Sequence, residues 1–449
     1  MSSTVEGMWR SRIFALVTMG ASGVLAAGSF AGCDHAPITG RISEALPPIE
    51  PTVDAGAPLD AGQVAEVPRD SGVIVTVPVV DAGMVAPDAK PAAPDAEVAP
   101  PVVDAGEAPP PPPSGIPLLG GGRHTIDAVD VTVIGTTSDR LATPRDLAFH
   151  PQRPTELWVV NRADHSVVVF FEPGTSNQST RRFWAPSGAH FLAEPSALAF
   201  GANGNVATIH ETDDYTQGPT TPRDFMGPTL WSTDVNIFNG GHEGHIDMLH
   251  NSPNGMGIAW ERDNVYWVFD GFHDSLTRYD FNRDHGPGGT DHSDGQIQRY
   301  AEGQVGRYAD VPSHLVYEPM TRQLYVADTG NNRIAVLDTM SGSRGASIRP
   351  NYDGIIQYEM TQSTLTTFID GATAGLRRPS GLALRDGLLF VGDNETGRIH
   401  AFDMMGNEVD YLDTGIVVGG LMGIAFDSAG LLYIVDALGD RILRVAPRN

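Results

Sequence analysis

A degenerate repeat runs from about Pro144 to the end of the 449-residue chain and constrains the fold more than any other feature. Each repeat opens on a short apolar segment of the type Pro-x-x-Leu-Ala-Phe, and a second apolar run follows within a few residues. The six opening segments begin at Pro144, Pro195, Pro253, Pro312, Pro379 and Leu421. Repeats of a few tens of residues built from short strands are typical of β-propellers and solenoids.

The length of the repeats favours a propeller of six blades. A four-stranded blade needs roughly 40–50 residues, and six blades fit residues 123–449 with room for insertions. The last repeat lacks a fourth strand, whereas residues 126–134 read as a strand that precedes the first blade. We therefore expect an all-β fold in which this N-terminal strand completes blade six and removes an open sheet edge.

The later repeats carry a more specific signature. Residues 324–334 read Leu-Tyr-Val-Ala-Asp-Thr-Gly-Asn-Asn-Arg-Ile, and residues 389–399 and 432–442 follow the same pattern. This pattern resembles the consensus of the NHL repeat family, and the resemblance implies a six-bladed propeller of the NHL type. Each copy places an Asp five positions before an Arg, across a tight turn. We expect the three carboxylates to accept turn N–H groups and to pair with the Arg; they belong to Asp328, Asp393 and Asp436.

The N-terminus predicts export and a lipid anchor. Arg10 and Arg12 precede an apolar stretch, residues 13–30, and Ala31-Gly32-Cys33 follows with the only cysteine of the chain. Such a segment is typical of a secretory signal peptide and resembles a bacterial lipoprotein signal, in which the Cys is acylated. The resemblance implies that residues 1–33 form the signal and that Cys33 anchors the protein outside the cytoplasm. Ordinary secretion with an incidental thiol is the alternative.

Residues 34–122 predict a disordered tether. The segment is rich in Pro, Ala, Val, Asp and Gly and contains no aromatic residue before residue 123, so nothing can nucleate a core. A proline-rich chain of like charge is extended at up to ~3.1 Å per residue. The whole chain has a net charge of -26, which excludes nucleic acid as a partner because phosphate binding requires a basic face.

Histidines concentrate in blades two to four, and this asymmetry is the strongest functional signal. In a propeller, the loops between strands d and a and between strands b and c open on the same face, around the central channel. The sequence places the candidate ligands His210, His250, His273 and His314 there, and it also places His245 there, in the connector before blade three. Imidazoles with one or two carboxylates suit a zinc, copper or iron site. The alternative is a set of polar rim residues that are hydrogen-bonded to loops.

A second cluster lies in the loop between strands c and d of blade three. Asp284, Asp291 and Asp294 alternate with Gly and polar residues, as in a calcium-holding loop, although the spacing is not that of an EF-hand. Strand counting puts this loop on the face opposite His250, where it is either a calcium site or a structured loop. If the loop folds over the rim, His285 and His292 join the histidine cluster instead.

Three classes of function follow from the sequence. The first is a membrane-tethered module that binds a small molecule, peptide or protein at the channel face, through a histidine-liganded metal or without one. The second is a metal-dependent lyase or hydrolase. The peptidylglycine amidating lyases, an NHL-like family, hold a channel zinc with three histidines, but only His314 matches their positions here. The third is a structural or adhesive component of the cell envelope.

Overall fold

The structure, a computed structural model, describes residues 115–184, 190–213 and 225–448. Six sheets account for nearly all of the regular structure in these residues. The inner strands of successive sheets contact one another in a closed ring, so the prediction of a six-bladed β-propeller is confirmed. Cys33, the predicted signal peptide and residues 34–114 of the predicted tether lie outside the described residues.

The first half of the ring contains a closing strand and three blades. Strand β1 (Val129–Gly135) precedes blade one, which consists of β2 (Pro144–His150), β3 (Arg153–Asn161), β4 (Ser166–Phe171) and β5 (Ser179–Trp184). Blade two consists of β6 (Pro195–Phe200), β7 (Asn205–His210), β8 (Thr229–Ser232) and β9 (His245–Met248). Blade three consists of β10 (Gly255–Arg262), β11 (Val265–Asp270), β12 (Ser275–Asp280) and β13 (Gln296–Tyr300).

The second half follows the same plan with one insertion. The next strands are β14 (Leu315–Glu318), β15 (Gln323–Asp328), β16 (Arg333–Asp338), β17 (Ser343–Ser347), β18 (Ile356–Thr361) and β19 (Thr364–Asp370), and the short helix α1 (Gly371–Ala374) follows. Blade four is β14-β15-β16-β19. Blade five is β20 (Pro379–Arg385), β21 (Leu388–Asp393), β22 (Arg398–Asp403) and β23 (Glu408–Asp413). Blade six contains β24 (Leu421–Phe426), β25 (Leu432–Asp436) and β26 (Arg441–Pro447).

The N-terminal strand closes the ring as the sequence predicts. Strand β1 pairs antiparallel with β26 in a sheet of the order β1-β26-β25-β24, and Val131 lies opposite Val445. Residues 115–122, which the sequence assigns to the tether, pack against the propeller as well. Leu118 and Leu119 are buried with blade-five and blade-six side chains such as Leu412. Both ends of the described chain are therefore held by the same two blades.

The insertion between β16 and β19 extends blade three. Strand β18 pairs in parallel with β13, and β17 pairs with β18, so that this sheet has six strands. No pattern in the sequence predicts this pairing, which joins segments far apart in the chain. Its consequence is that the turn before β18 carries Asp353 to the side chain of His250.

The Asp residues of the NHL-like turns have the structural role that the sequence predicts. In blade four, Asp328 accepts hydrogen bonds from the backbone N–H of Gly306 at 2.7 Å and from Arg333 Nε at 2.7 Å. In blade six, Asp436 accepts a hydrogen bond from Arg441 Nε at the same distance. Blade five differs, because the carboxylate of Asp393 accepts only backbone N–H groups in the described structure and none from its Arg.

Among the described residues, no helix has the length and apolar character needed to cross a bilayer.

Candidate metal centre

The four histidines predicted as ligands lie in separate environments. His210 ends β7 and is fully buried. Its Nδ1 donates to the carbonyl of Gly227 at 3.1 Å, and its Nε2 accepts from the hydroxyl of Thr208 at 3.3 Å. Burial lowers the pKa of His210 to about 4. This imidazole is therefore a neutral core group with both nitrogens in hydrogen bonds.

His273 and His314 also have carboxylate neighbours of their own. His273 Nδ1 donates to Asp270 at 2.8 Å in the turn after β11. His314 Nε2 lies 3.7 Å from a carboxylate oxygen of Asp146. Asp146 belongs to blade one and His314 to blade four, which are opposite each other in a six-membered ring. These two side chains therefore meet across the central axis of the propeller.

His250 is hydrogen-bonded to Asp353, which belongs to the insertion between β16 and β19. Its Nδ1 lies 2.6 Å from Asp353 Oδ1, and its backbone N–H donates to Asp353 Oδ2 at 3.0 Å. The ring stacks on Phe225 with 4.0 Å between ring centroids. Nε2 of His250 is buried and has no hydrogen-bond partner among the described residues. The carboxylate thus fixes the ring and leaves one nitrogen with an unused lone pair.

Within the described residues, one group of His, Cys, Asp and Glu side chains meets the geometry for sharing an ion, and it contains none of these four. It consists of His245, His285 and His292, and we call it the three-histidine centre. One ring nitrogen of each residue lies within 4.8 Å of the other two. The ring centroids of His245 and His285 are 4.9 Å apart, and those of His285 and His292 are 5.0 Å apart.

The loop between β12 and β13 brings the centre together by folding onto β9. The backbone N–H of His285 donates to the carbonyl of Ile246 at 3.1 Å, and that of Gly288 donates to the carbonyl of His245 at 2.9 Å. A Cβ atom on Gly289 would lie 2.4 Å from His285 Nδ1, so only glycine fits there. His285 and His292 thus meet His245 and not the cluster of His210, His250, His273 and His314 that the sequence analysis considered, and the centre lies at the outer edge of blade two.

All three imidazoles are held by Nδ1. His245 Nδ1 donates to the carbonyl of His242 at 2.5 Å, and His285 Nδ1 donates to the carbonyl of Gly286 at 2.6 Å. Carbonyl oxygens only accept hydrogen bonds, so the proton is on Nδ1 and the lone pair is on Nε2. His292 Nδ1 donates in the same way to Asp247 Oδ1 at 2.8 Å. A metal-ligating histidine typically has such an outer partner, which fixes the tautomer.

The electrostatic surroundings favour the neutral form of two of the three imidazoles, those of His245 and His285. Burial lowers the pKa of His245 to about 3, and burial also lowers that of His285. Burial acts in the same direction on His292, but the hydrogen bond and charge of Asp247 outweigh it and raise the pKa of His292. Burial raises the pKa of Asp247 to about 6. At neutral pH, His245 and His285 therefore present unprotonated nitrogens that a cation can use.

The donor set fits a transition metal. Imidazole nitrogens suit zinc, copper, iron and nickel, whereas calcium and magnesium prefer oxygen. Zinc–nitrogen bonds of ~2.0–2.1 Å in a tetrahedron place ligand nitrogens ~3.3 Å apart, so nitrogens that lie within 4.8 Å of one another need a contraction of at most ~1.5 Å to close on an ion. Nε2 of His285 is buried without a hydrogen-bond partner among the described residues, as expected of a ligand atom. Three protein ligands leave one coordination position open.

The Asp residues of the same loop do not contribute to this centre. Asp291 accepts hydrogen bonds from the backbone and hydroxyl of Ser293, and Asp294 accepts one from the side chain of Asn282. Asp284 is half-buried, and the other two are exposed. None of the three belongs to the group that could share an ion. The possible calcium site of the sequence prediction has no further support in the described loop.

Further histidines surround the centre. His242 precedes His245 in the chain, and His190 lies in the connection from blade one to blade two. Burial first, and then the neighbouring histidines, lower the pKa of His190 to about 3. His190 stands between the two sites, because its ring is 6.2 Å from that of His250 and the adjacent Phe191 is 4.3 Å from His245. Sequence reasoning did not single out His190 or His242, since neither lies in a recognisable ligand spacing.

Comparisons with known proteins give matches among solved structures alone. No protein-family model matches the chain, and no curated protein matches its sequence. Among solved structures it is similar to a streptogramin B lyase, with 10% identity, a TM-score of 0.44 and coverage of 71% of this chain and 98% of that one. It is also similar to an auxiliary nutrient binding protein from Bacteroides ovatus, with 14% identity, a TM-score of 0.43 and coverage of 68% and 69%. A virginiamycin B lyase from Staphylococcus aureus gives 13% identity, a TM-score of 0.44 and coverage of 71% and 99%. Similarity at this level concerns the fold alone.

Proposed function

We propose that the chain is a tethered propeller that binds a divalent transition metal, zinc or copper, at the three-histidine centre and captures a ligand through the open coordination position. One observation carries this proposal. Three imidazoles each place one ring nitrogen within 4.8 Å of the other two, and each ring is anchored by an Nδ1–H hydrogen bond, which leaves Nε2 as the nitrogen available to an ion. His210, by contrast, uses both of its ring nitrogens in hydrogen bonds.

The proposal is tested by a metal titration of the whole chain, purified without chelators and without a histidine tag. We expect about one zinc ion per chain, and His285→Ala and His292→Ala should weaken binding about 100-fold or more. His273→Ala is the matched control, because His273 is a half-buried histidine paired with an Asp outside the centre. Binding that is absent, or that survives His285→Ala, would overturn the proposal.

A metal-dependent hydrolase or lyase is the second candidate, and the His250–Asp353 pair favours it. An imidazole that is oriented by a carboxylate at Nδ1 and has an unused Nε2 is the arrangement of a general base. A bound metal would polarise a substrate oxygen or activate water. Hydrolysis of p-nitrophenyl acetate by the zinc-loaded chain should then fall on His250→Asn and persist in His273→Asn. If the zinc-loaded chain hydrolysed the ester no faster than free zinc does, only the binding function would remain.

The remaining candidate, a structural or adhesive envelope component, predicts a different result. Association of the chain with itself or with envelope material would then survive both His285→Ala and His250→Asn. The metal-binding proposal predicts that any association mediated by the centre is lost with the metal.

We further propose that the propeller is of the NHL type and is tethered outside the cytoplasm by an acylated Cys33. The support is the signal-like segment before Cys33 and the three NHL-like turns in blades four to six. Mass spectrometry of the N-terminal peptide from membranes tests the anchor. A diacylglycerol adduct on Cys33, and release of the chain into the soluble fraction by Cys33→Ser, are expected. An unmodified thiol in a released protein would indicate ordinary secretion.

A further inference from the structure

A cavity lies between blades four and five, and none of its lining residues belongs to the three-histidine centre. Its volume is about 620 Å³, within the range of small-molecule sites. Asn332 from the turn before β16, Leu376 and Arg377 from the connection after α1, and Thr396 and Arg398 from the turn between β21 and β22 line it. Loops of two neighbouring blades thus form the walls, and rigid strands hold them in place.

Three of the lining residues have buried polar atoms without a hydrogen-bond partner. Asn332 Oδ1, Thr396 Oγ1 and Arg398 Nε are shielded from solvent, and none of them has a hydrogen-bond partner among the described residues. Leaving a buried polar group without a partner costs free energy. A ligand that supplied the missing partners to all three would recover that cost, and all three residues line the one cavity.

Blade five departs from its neighbours in a way that leaves its Arg available. In blades four and six, the Arg at the end of the turn pairs with the turn Asp at 2.7 Å. In blade five, Asp393 accepts the backbone N–H groups of Arg377 and Arg378 instead. Arg398 Nε lies 3.6 Å from Asp413, too far for a hydrogen bond, and its guanidinium lies over the ring of Tyr411.

Arg377 adds a second positive charge to the same cavity. Its side chain is exposed, and no ion pair to it occurs among the residues that the structure describes. Arg398, whose ion pair with Asp413 is long, is on the same wall of residues and brings the positive charges of the lining to two. Arg guanidinium groups bind carboxylates through paired N–H donors. The charge of the cavity therefore calls for an anionic group on the ligand.

We propose that this cavity is a binding site for a small hydroxylated carboxylate of the sugar-acid class. The carboxylate would bind Arg377 and Arg398. Hydroxyl groups would donate to Asn332 Oδ1 and exchange a hydrogen bond with Thr396 Oγ1. The buried side chain of Leu376 supplies an apolar surface for the carbon skeleton. This site is independent of the three-histidine centre and of the metal function proposed for it.

Calorimetry of the whole chain with D-galacturonate, D-galactose and inorganic phosphate tests the site. We expect galacturonate to bind at least about 10-fold more tightly than either of the other two, because only galacturonate has both the carboxylate and the hydroxyls. Arg377→Gln should weaken galacturonate binding about 10-fold and leave the galactose response unchanged. Arg322→Gln, a change of an exposed Arg outside the lining of this cavity, should do neither.

Thr396→Val provides a test that does not depend on the charge. It removes a hydroxyl that has no partner, so the melting temperature without ligand should stay equal or rise, while galacturonate affinity falls about 5-fold. The proposal would be overturned if galacturonate did not bind, if the two sugars bound equally or if phosphate bound more tightly. It would also be overturned if Arg377→Gln left the affinity for galacturonate unchanged, or if Thr396→Val lowered the melting temperature. His285→Ala should leave galacturonate binding intact, so the metal proposal can fail separately.

Discussion

His210 gives a sharp test of the structural reasoning, because its folded pKa is about 4 whereas the ordinary value is 6.5. Burial disfavours the charged form, so below pH 6.5 the unfolded chain binds a proton that the folded chain does not. The stability that neutral His210 allows is therefore fully present above pH 6.5 and is lost as the pH falls towards 4. From the two pKa values, the loss between pH 7 and pH 5 is about 2 kcal/mol.

The assay compares urea denaturation of the wild-type chain and of His210→Gln at pH 7 and pH 5. Other buried histidines also lower stability in acid, so the informative quantity is the difference between the two pH dependences. We expect the variant to be less stable at pH 7 and to lose about 2 kcal/mol less than wild type on going to pH 5. Zinc stoichiometry should be unchanged, since His210 is outside the three-histidine centre. Equal pH dependences would refute the assignment of His210 as a neutral core residue.

Three further predictions concern the fold and the centre. A chain that lacks residues 1–135, and with them β1, should be less stable than one that lacks residues 1–114 and should self-associate through the exposed edge of β26, as light scattering and thermal unfolding would show. Asp328→Ala should cost about 2 kcal/mol or more in urea denaturation because buried donors lose their acceptor, whereas the exposed Asp338→Ala should cost under ~1 kcal/mol; equal costs would contradict the structural role. Asp247→Asn should weaken zinc binding about 10-fold, and unchanged affinity would show that its hydrogen bond to His292 does not support the centre.

The propeller was predictable because its signals are local and repeated. Each inner strand is an apolar segment of fixed type, and turn residues bound it, as in β20 and β24. The closure by β1 followed from counting strands, since blade six has three of its own. The hydrogen bonds of Asp328 and Asp436 to their Arg partners could be predicted because each Asp and its Arg lie within six residues of sequence.

Blade two shows where such reasoning fails. Its outer strands β8 and β9 have four residues each, too few for a periodic pattern to stand out. Without β9, the sequence places His245 in a connector on the channel face, before the first strand of blade three. The structure shows that His245 begins the outermost strand of blade two, where the loop of blade three can reach it.

The partners of the candidate sites could not be found from sequence for a related reason. Asp353 reaches His250 only because β18 pairs in parallel with β13, across an insertion that has no counterpart in the other blades. His292 meets Asp247 across two blades. Convergence of this kind depends on non-local pairing, whereas residue spacing reports only local geometry. The sequence therefore identified the histidine-rich region without the ligand set.

Anomalous diffraction at the zinc absorption edge, from crystals of the zinc-loaded chain, tests the central claim most directly. The account predicts that the strongest peak lies about 2.0–2.1 Å from Nε2 of His245, His285 and His292. A peak at His250, His273 or His314, or no peak within the propeller at saturating zinc, would contradict it.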